Sequence, residues 1–503
     1  MIAKIPIGTQ ISGNEIDSFF NTAISNNLND FYAVLSKYNG DILFEQWLQL
    51  IKSIDELINI PSELPEQLAL KILSQKVNIN VHCDPCFFNC LDTLKEHFGI
   101  YVAKRVGLLI CQSACVIKAL RDKGIETANV TNYNDLVKFF QSRRKYYVSF
   151  LALIKQHSHG NEKIHSIDLL NFFQYYIEVI LMGVTTAFNY LTINKSVDGF
   201  VLTSTNKGLE SNQLFNQLDN FFLEPIRTSI VDQQEYSEEY NQSEIISKQK
   251  GILYSPSELD DMIHNTKVLF DCYGICRNRK FRELLSLIEF IRPYYKDDYY
   301  IIIPKNQFEL HFKNDEDLAY QSYENNYFDI LNSHAAFYKH KDSYISNIFL
   351  VNRYFYYATQ NILDKTKRYQ IRSGFIFEQK VSSVLEKYGF KDQKITRINK
   401  KEFDVVCTKG NCIYNFQCKN NLFNIATIDT RQYKEVAKCN RKLVNYYTRA
   451  YQKEIKREDL LTGYINISKI KHFVISRFPV IINNQEFIIN FNDLESKLAA
   501  DIL

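Results

Sequence analysis

EFDVVCTKGNCIYNFQCK, residues 402–419, reads as two short strands around a turn. Val405, Val406, Ile413, Tyr414 and Phe416 are the β-branched and aromatic types that suit a pleated, half-buried surface. Lys409, Gly410 and Asn411 between the runs have turn character, so the predicted element is a hairpin. Side chains alternate along a strand, which sends Gln417 and Lys419 to one face and Cys418 to the other. An Asp at the head of the first strand and a Lys at the tail of the second are unusual in so apolar a hairpin. Withdrawing an unpaired charge from water costs several kcal/mol, so Asp404 and Lys419 either form an ion pair or serve a site.

Outward from the hairpin, the pattern becomes helical on both sides. A helix is predicted over residues 371–388, with Phe377, Val381, Val384, Leu385 and Tyr388 on one face and Gly389 placed to stop it. A long helical stretch, DTRQYKEVAKCNRKLVNYYTRAYQKEIK (429–456), leads to the apolar strand HFVIS (472–476). The order helix, strand, strand, helix, strand belongs to an α/β layered fold.

Three short segments in this order carry a resemblance: SGFIFEQKV (373–381) with Glu378, EFDVV (402–406) with Asp404, and FQCK (416–419) with Gln417 and Lys419. Together with FVISRFPVI (473–481) they resemble the PD-(D/E)XK nuclease superfamily, and the Gln-x-Lys variant is similar to its Mrr-type restriction endonucleases. The resemblance covers residues 365–503 and implies a restriction-endonuclease-like mixed-sheet domain that hydrolyses phosphodiester bonds with Mg²⁺ or Mn²⁺. It implies Asp404 as a direct metal ligand beside the backbone carbonyl of Cys418, Glu378 reaching the metal through a water, and Lys419 orienting the attacking water. Gln417 stands where the family more often has Glu, leaving one anionic ligand fewer. Phosphodiester hydrolysis does need a hard cation, and Mg²⁺ is commonly held by one or two carboxylates with water and phosphate oxygens. The expected function is a metal-dependent endonuclease, acting on DNA rather than RNA, of the kind used in restriction or anti-phage defence. The alternative is a nuclease fold kept as a nucleic-acid-binding or scaffold protein without cleavage.

At 503 residues the chain is too long for one core and predicts two to four domains. Gly (16) and Pro (9) are scarce while Tyr (33) and Phe (36) are abundant, which favours long helices. Residues 1–202 read as a helical region, 203–251 as a polar connection, 252–364 as mostly helical, and 365–503 as the nuclease-like domain. A hairpin is predicted where YYIIIP and FELHF flank Lys305 and Asn306. The fold class is thus α followed by α/β. The net charge of +3 hides an asymmetry: residues 365–503 hold 26 Lys and Arg against 14 Asp and Glu, an excess of +12, while residues 1–364 hold 34 against 43. A basic domain on an acidic one puts a polyanion contact at the C-terminal end. The helical region is then free to serve oligomerisation or a regulatory partner.

No apolar leader opens the chain, and eleven cysteines then suggest free thiols in a reducing, cytoplasmic setting. The most apolar stretch, residues 175–191, contains Glu178, is shorter than the roughly 20 residues a bilayer demands, and reads as a buried helix, so no membrane is expected.

Several further groups have two readings each. Cys83, Cys86 and Cys90, with Cys111 and Cys115 downstream, have the spacing of a structural zinc or iron–sulfur site, but apolar surroundings favour packing. Cys272 and Cys276 stand one helical turn apart and favour packing more strongly. His157, His159 and His165 suggest a solvated loop rather than ligands. Arg143, Arg144 and Lys145 beside Tyr146 and Tyr147 could touch nucleic acid, though a charged helix face is the simpler reading. Arg431, Lys434, Lys438, Arg441 and Lys442 recur at helical spacing and are predicted to contact phosphates, against a plain solvated face.

Overall fold

Apolar residues at three- and four-residue intervals build the first part of the molecule. In α1 (Gly13–Leu35) they are Ile16, Phe20, Ala23, Phe31 and Leu35, all buried, and Ser12 and Glu15 form a capping box at its start. The computed structural model describes residues 5–58, 133–164, 172–206, 208–211 and 257–500, with breaks at 297–298, 313–316, 321–325, 421–431, 478–479 and 483–485, plus Asp92, Lys95, Glu96 and Leu169. Helix α2 (Gly40–Ile58) packs on α3 (Tyr133–His157), where the indole N–H of Trp47 donates to the Tyr147 carbonyl at 2.9 Å. A π-helical stretch, Phe172–Leu181, runs directly into α4 (Met182–Ser196), which lies along α1. Strands β1 (Gln10–Ser12), β2 (Val201–Thr205) and β3 (Gly208–Ser211) close this part as an antiparallel sheet. The predicted polar connection over 203–251 therefore begins too early: Leu202 and Ser204 alternate inward on β2, and residues 203–205 and 208–211 belong to the sheet.

Gly160 is required by close approach. Its N–H donates to the Tyr38 carbonyl at 3.0 Å, and a Cβ there would stand 2.0 Å from the Lys37 carbonyl oxygen.

The second part comprises α5 (Ser257–Cys272), α6 (Arg279–Ile291), the strands β4 (Tyr295–Lys296) and β5 (Tyr300–Pro304), α7 (Lys305–Phe312), α8 (Tyr327–Asn332), β6 (Tyr338–His340), β7 (Ser343–Asn347) and α9 (Ile348–Asp364). Its four strands form an antiparallel sheet in the order β4-β5-β7-β6. The predicted hairpin at Lys305 is not formed. FELHF lies in α7, where Phe308 and Phe312 meet as an i,i+4 pair, and β5 pairs instead with β7. A five-residue apolar run fits both periods, and tertiary pairing decided between them.

The third part begins with α10 (Lys367–Lys387), ended by Tyr388 and by Gly389 at φ +83°. After it come β8 (Lys391–Asp392), the small ribbon of β9 (Arg397–Ile398) and β10 (Lys401–Glu402), then β11 (Val405–Lys409) and β12 (Cys412–Lys419). The β11–β12 hairpin turns at Gly410 and Asn411, with Gly410 at the left-handed φ of +59° that tight two-residue turns need first. Helices α11 (Tyr433–Ile455) and α12 (Glu458–Ile465), strands β13 (Ile470–Ser476) and β14 (Ile488–Asn490), and α13 (Phe491–Ala499) follow. The five-stranded sheet has the order β14-β13-β12-β11-β8, antiparallel from β8 to β12 and parallel from β12 to β14. Helices α10 and α13 cover one face through Phe377, Val381, Leu385 and Leu494; α11 and α12 cover the other through Tyr447 and Leu461. The molecule thus mixes α-helices with several small antiparallel and mixed sheets.

The parts share apolar surface. Val436 of α11 and Ile481 belong to the same buried cluster as Phe188 and Leu191 of α4, and α4 lies along α11. Residues 175–196 form a helix long and apolar enough to cross a membrane by length and composition, but 61% of its most apolar window is buried inside the molecule. Its Glu178 is paired with Arg143 at 2.5 Å in a nearly water-free setting.

Candidate active site

Register brings three of the sequence-selected residues together. β11 pairs with β12 so that Val405 faces Phe416, and extending that register sets Asp404 opposite Gln417. Lys419 is the next residue on the same face, two positions along β12. Oδ2 of Asp404 accepts the Gln417 side-chain amide and the Cys418 backbone N–H, the latter at 2.7 Å. A strand residue directs its N–H and C=O to the same edge. The Cys418 carbonyl therefore faces the side on which Asp404 lies, past the point where the β11 ladder stops at Val405.

Glu378 comes from α10, across the sheet from α11 and adjoining the buried Phe377. Burial pushes its carboxyl up to about 8, the negative charge of Asp404 adds to the rise, and Lys419 opposes it. Asp404 is also held above its ordinary range by burial, against the pull of Lys419, the Cys418 N–H and the Gln417 amide. Among the described residues, no hydrogen bond or ion pair reaches the Glu378 carboxylate, and Lys419 forms no ion pair; its ammonium sits 5.8 Å from the centre of the Tyr446 ring. The simple Asp404–Lys419 ion pair is thus not formed.

These groups can be tested as a cation site by their chemistry. Asp404, Glu378 and the Cys418 carbonyl offer oxygen donors only, which suits Mg²⁺ or Mn²⁺ rather than zinc. No group of three or more His, Cys, Asp or Glu side chains gathers as a metal cage among the described residues, so the set would need water and phosphate oxygens to complete it.

Residues not singled out by sequence hold this arrangement. Parallel pairing sets Lys419 beside Ser476, and the Arg477 N–H donates to the Lys419 carbonyl at 2.9 Å. Arg477 also donates to the Asn420 side chain at 2.8 Å, and Asn420 donates to Ser373 of α10 at 2.9 Å. The end of β12 is therefore tied both to β13 and to the helix that carries Glu378. Beneath α11, buried Asn415 donates to Glu454 at 2.9 Å and faces His472 Nδ1 at 3.2 Å, while Arg457 donates to Glu454 at 3.0 Å. His472 Nε2 lies 3.2 Å from Glu458, so the neutral ring donates there and accepts from Asn415. Asn420 adjoins the Gln-x-Lys segment, but its partners appear only once the parallel register is known.

Lys434, Lys438, Arg441 and Lys442 are exposed on α11, with Lys438 in an ion pair with Glu435 at 3.2 Å. Arg431 lies outside the described residues, as do Cys83, Cys86, Cys90, Cys111, Cys115 and His165. Neither reading of Arg143, Arg144 and Lys145 survives. Arg143 is bound to Glu178, Arg144 lies 4.6 Å from the centre of the Phe349 ring, and Lys145 is buried, so the run is interior rather than a solvated or nucleic-acid-binding face. His157 is the last residue of α3 instead of a loop residue. It stacks on Tyr32 at 3.7 Å, and burial lowers its pKa to about 4. The Cys272 and Cys276 thiols donate to the carbonyls of Val268 and Lys267. Set against protein-family models, curated proteins and solved structures, the chain matches none of them.

Proposed function

We propose that the chain is a metal-dependent endonuclease whose third part is a restriction-endonuclease-like domain, hydrolysing phosphodiester bonds in DNA ahead of RNA. The observation that supports this most is the lack of ion pairs at the site: two half-buried carboxylates lifted above their ordinary range beside a lysine that forms no ion pair. Strongly shifted carboxylates of this kind cluster at functional sites. Asp404 and the Cys418 carbonyl would hold Mg²⁺ or Mn²⁺ directly and Glu378 through a water. When bound, the cation supplies charge that polarises the scissile phosphate and acidifies its water. Lys419 keeps a fixed positive charge where negative charge grows on the phosphate, and fixed charge is effective because it needs no reorganisation during reaction. The Gln417 amide holds Asp404 in place, and the exposed cations of α11 draw a polyanion to the same side of the sheet. Restriction or anti-phage defence is the setting that suits such an enzyme, with the helical part supplying recognition, sensing or assembly.

One observation favours a second reading, a nucleic-acid-binding scaffold without cleavage. Asp404 Oδ2 already carries two hydrogen bonds, and Gln417 offers an amide where a further carboxylate would strengthen metal binding. The deciding experiment incubates the purified chain with supercoiled plasmid, linear duplex, single-stranded DNA and RNA in Mg²⁺ and in Mn²⁺. Cation-dependent cleavage that EDTA stops supports the enzyme. Binding without cleavage of any substrate supports the scaffold.

A further inference from the structure

Few large aromatic side chains stand in water among the described residues: Tyr175, Phe375, Tyr446 and Tyr464. One of these four belongs to the candidate site. Tyr446, 47% exposed, lies against the Lys419 ammonium. Tyr446 is thus an aromatic ring left in water beside a charged residue of the site.

The surroundings of Tyr446 narrow what it could receive. On α11 its surface neighbours are Lys442, four residues earlier, and Arg449, three later, both exposed. Lys434, Lys438, Arg441, Lys442, Arg449, Lys453 and Lys456 are all exposed, and at 100° per residue they fall within a sector of roughly 120°. The stripe from Lys434 to Lys456 is about 33 Å long, enough to follow a strand backbone, with Tyr446 at its margin beside Lys419. A paired duplex keeps its base faces stacked inside and offers only phosphates to such a stripe, so the ring would have no partner. An unpaired strand offers both: phosphates to the cations and a base face to the ring.

We propose that Tyr446 forms a stacking platform for an unpaired nucleobase beside the cleavage position, so that the strand held at this site is single-stranded or locally unpaired nucleic acid. This rests on the reading of the site as a nucleic-acid site. Stacking a base on an aromatic side chain changes affinity on the order of 10- to 100-fold, and it tolerates any base. A structural role for Tyr446, holding the Lys419 ammonium in place, would act on turnover and leave affinity for a strand unchanged.

The test measures binding of the full chain without divalent cation, by fluorescence anisotropy, to a labelled single strand and to a blunt duplex of the same length. DNA and RNA versions of the strand distinguish the two polymers. Wild type is expected to prefer the single strand. Tyr446→Ala should weaken single-strand binding on the order of 10- to 100-fold and change duplex binding less than about twofold, while Tyr446→Phe keeps wild-type affinity. Thermal melting of each variant establishes that these exposed substitutions leave the fold intact. Equal losses on strand and duplex, or no loss with Tyr446→Ala, overturn the stacking platform alone. A wild type that binds neither form at low salt overturns the nucleic-acid reading along with it.

Discussion

Two groups of charges in this molecule resolve in opposite ways, one with exposed carboxylates and one with half-buried ones. One joins α2, α3 and the β6–β7 hairpin. His340, 4% exposed, lies 2.9 Å from Glu45 through Nε2 and 2.8 Å from Lys155 through Nδ1; Asp41 is 3.3 Å from Lys155, and Lys341 is 2.8 Å from Glu45. Lys155 can only donate, so Nδ1 accepts and Nε2–H is given to Glu45, which makes the ring neutral. Every cation here has a carboxylate, and Lys341 and then His340 pull Glu45 below its ordinary range. The other group is Glu378, Asp404 and Lys419, where burial and mutual charge leave both carboxylates above theirs. Glu45 is pulled down by its counterions at an exposed position, whereas Glu378 and Asp404 are pushed up by burial and neither forms an ion pair among the described residues. The two clusters differ in burial as well as in pairing, and Glu178, raised by burial although it is paired with Arg143, shows that an upward shift marks burial rather than function by itself.

The largest expected effect falls on the unpaired group. Asp404→Asn and Lys419→Ala should each lower Mg²⁺- or Mn²⁺-dependent cleavage by about 10²–10³-fold or more, as loss of a preorganised charge does. Asp404→Asn is preferable to alanine because it can still accept the Cys418 N–H. Plasmid nicking and strand cleavage read the loss, and circular dichroism the fold. Full activity in both variants would make the two clusters equivalent and place chemistry elsewhere.

Next comes the paired group. His340→Ala removes a buried ring that contacts Glu45 and Lys155 and stacks on Phe44, and should cost about 1–3 kcal/mol of stability, without touching cleavage per folded molecule. Denaturant titration measures it. An unchanged midpoint with lost cleavage would reverse the assignment of the two clusters.

The pH dependence should also have opposite signs. Glu378 binds a proton more tightly folded than unfolded, so without divalent cation its contribution is complete below the unfolded value of 4.5 and is lost as pH rises through about 8. Glu378→Gln should flatten that alkaline limb, and added Mg²⁺ should raise stability there more in wild type than in the variant, which keeps Asp404. His157 binds a proton less tightly folded, so its contribution is present above 6.5 and is lost as pH falls towards about 4. Chemical denaturation between the two extremes in EDTA resolves both limbs, and a Glu378→Gln profile parallel to wild type would contradict the first.

The smallest effect sharpens the contrast most finely. Gln417→Glu adds a third carboxylate to a site short of counterions, and should change the ratio of Mn²⁺- to Mg²⁺-supported cleavage several-fold while retaining cleavage. If only the Glu variant cleaves, the scaffold reading is the better one.

The α10 helix, the β11–β12 hairpin and the shared face of Gln417 and Lys419 were legible in the residues, because each depends on contacts a few positions apart and on the periods of helix and strand. Asp404 opposite Gln417 follows from the same hairpin once its turn is placed at Gly410. FELHF is ambiguous because a run of five residues carries both periods, and Arg143 to Lys145 because a basic run says nothing of the partner that buries it. What only the tertiary structure decided is every contact between distant segments. The parallel β12–β13 register ties Lys419 and Asn420 to Arg477, and the His340–Glu45 pair spans 295 residues. Burial likewise exists only in the folded chain, and it is burial that raises Glu378 and Asp404 while proximity to Lys341 lowers Glu45. Sequence sets which groups can ionise; the packed surroundings set which of them hold a counterion.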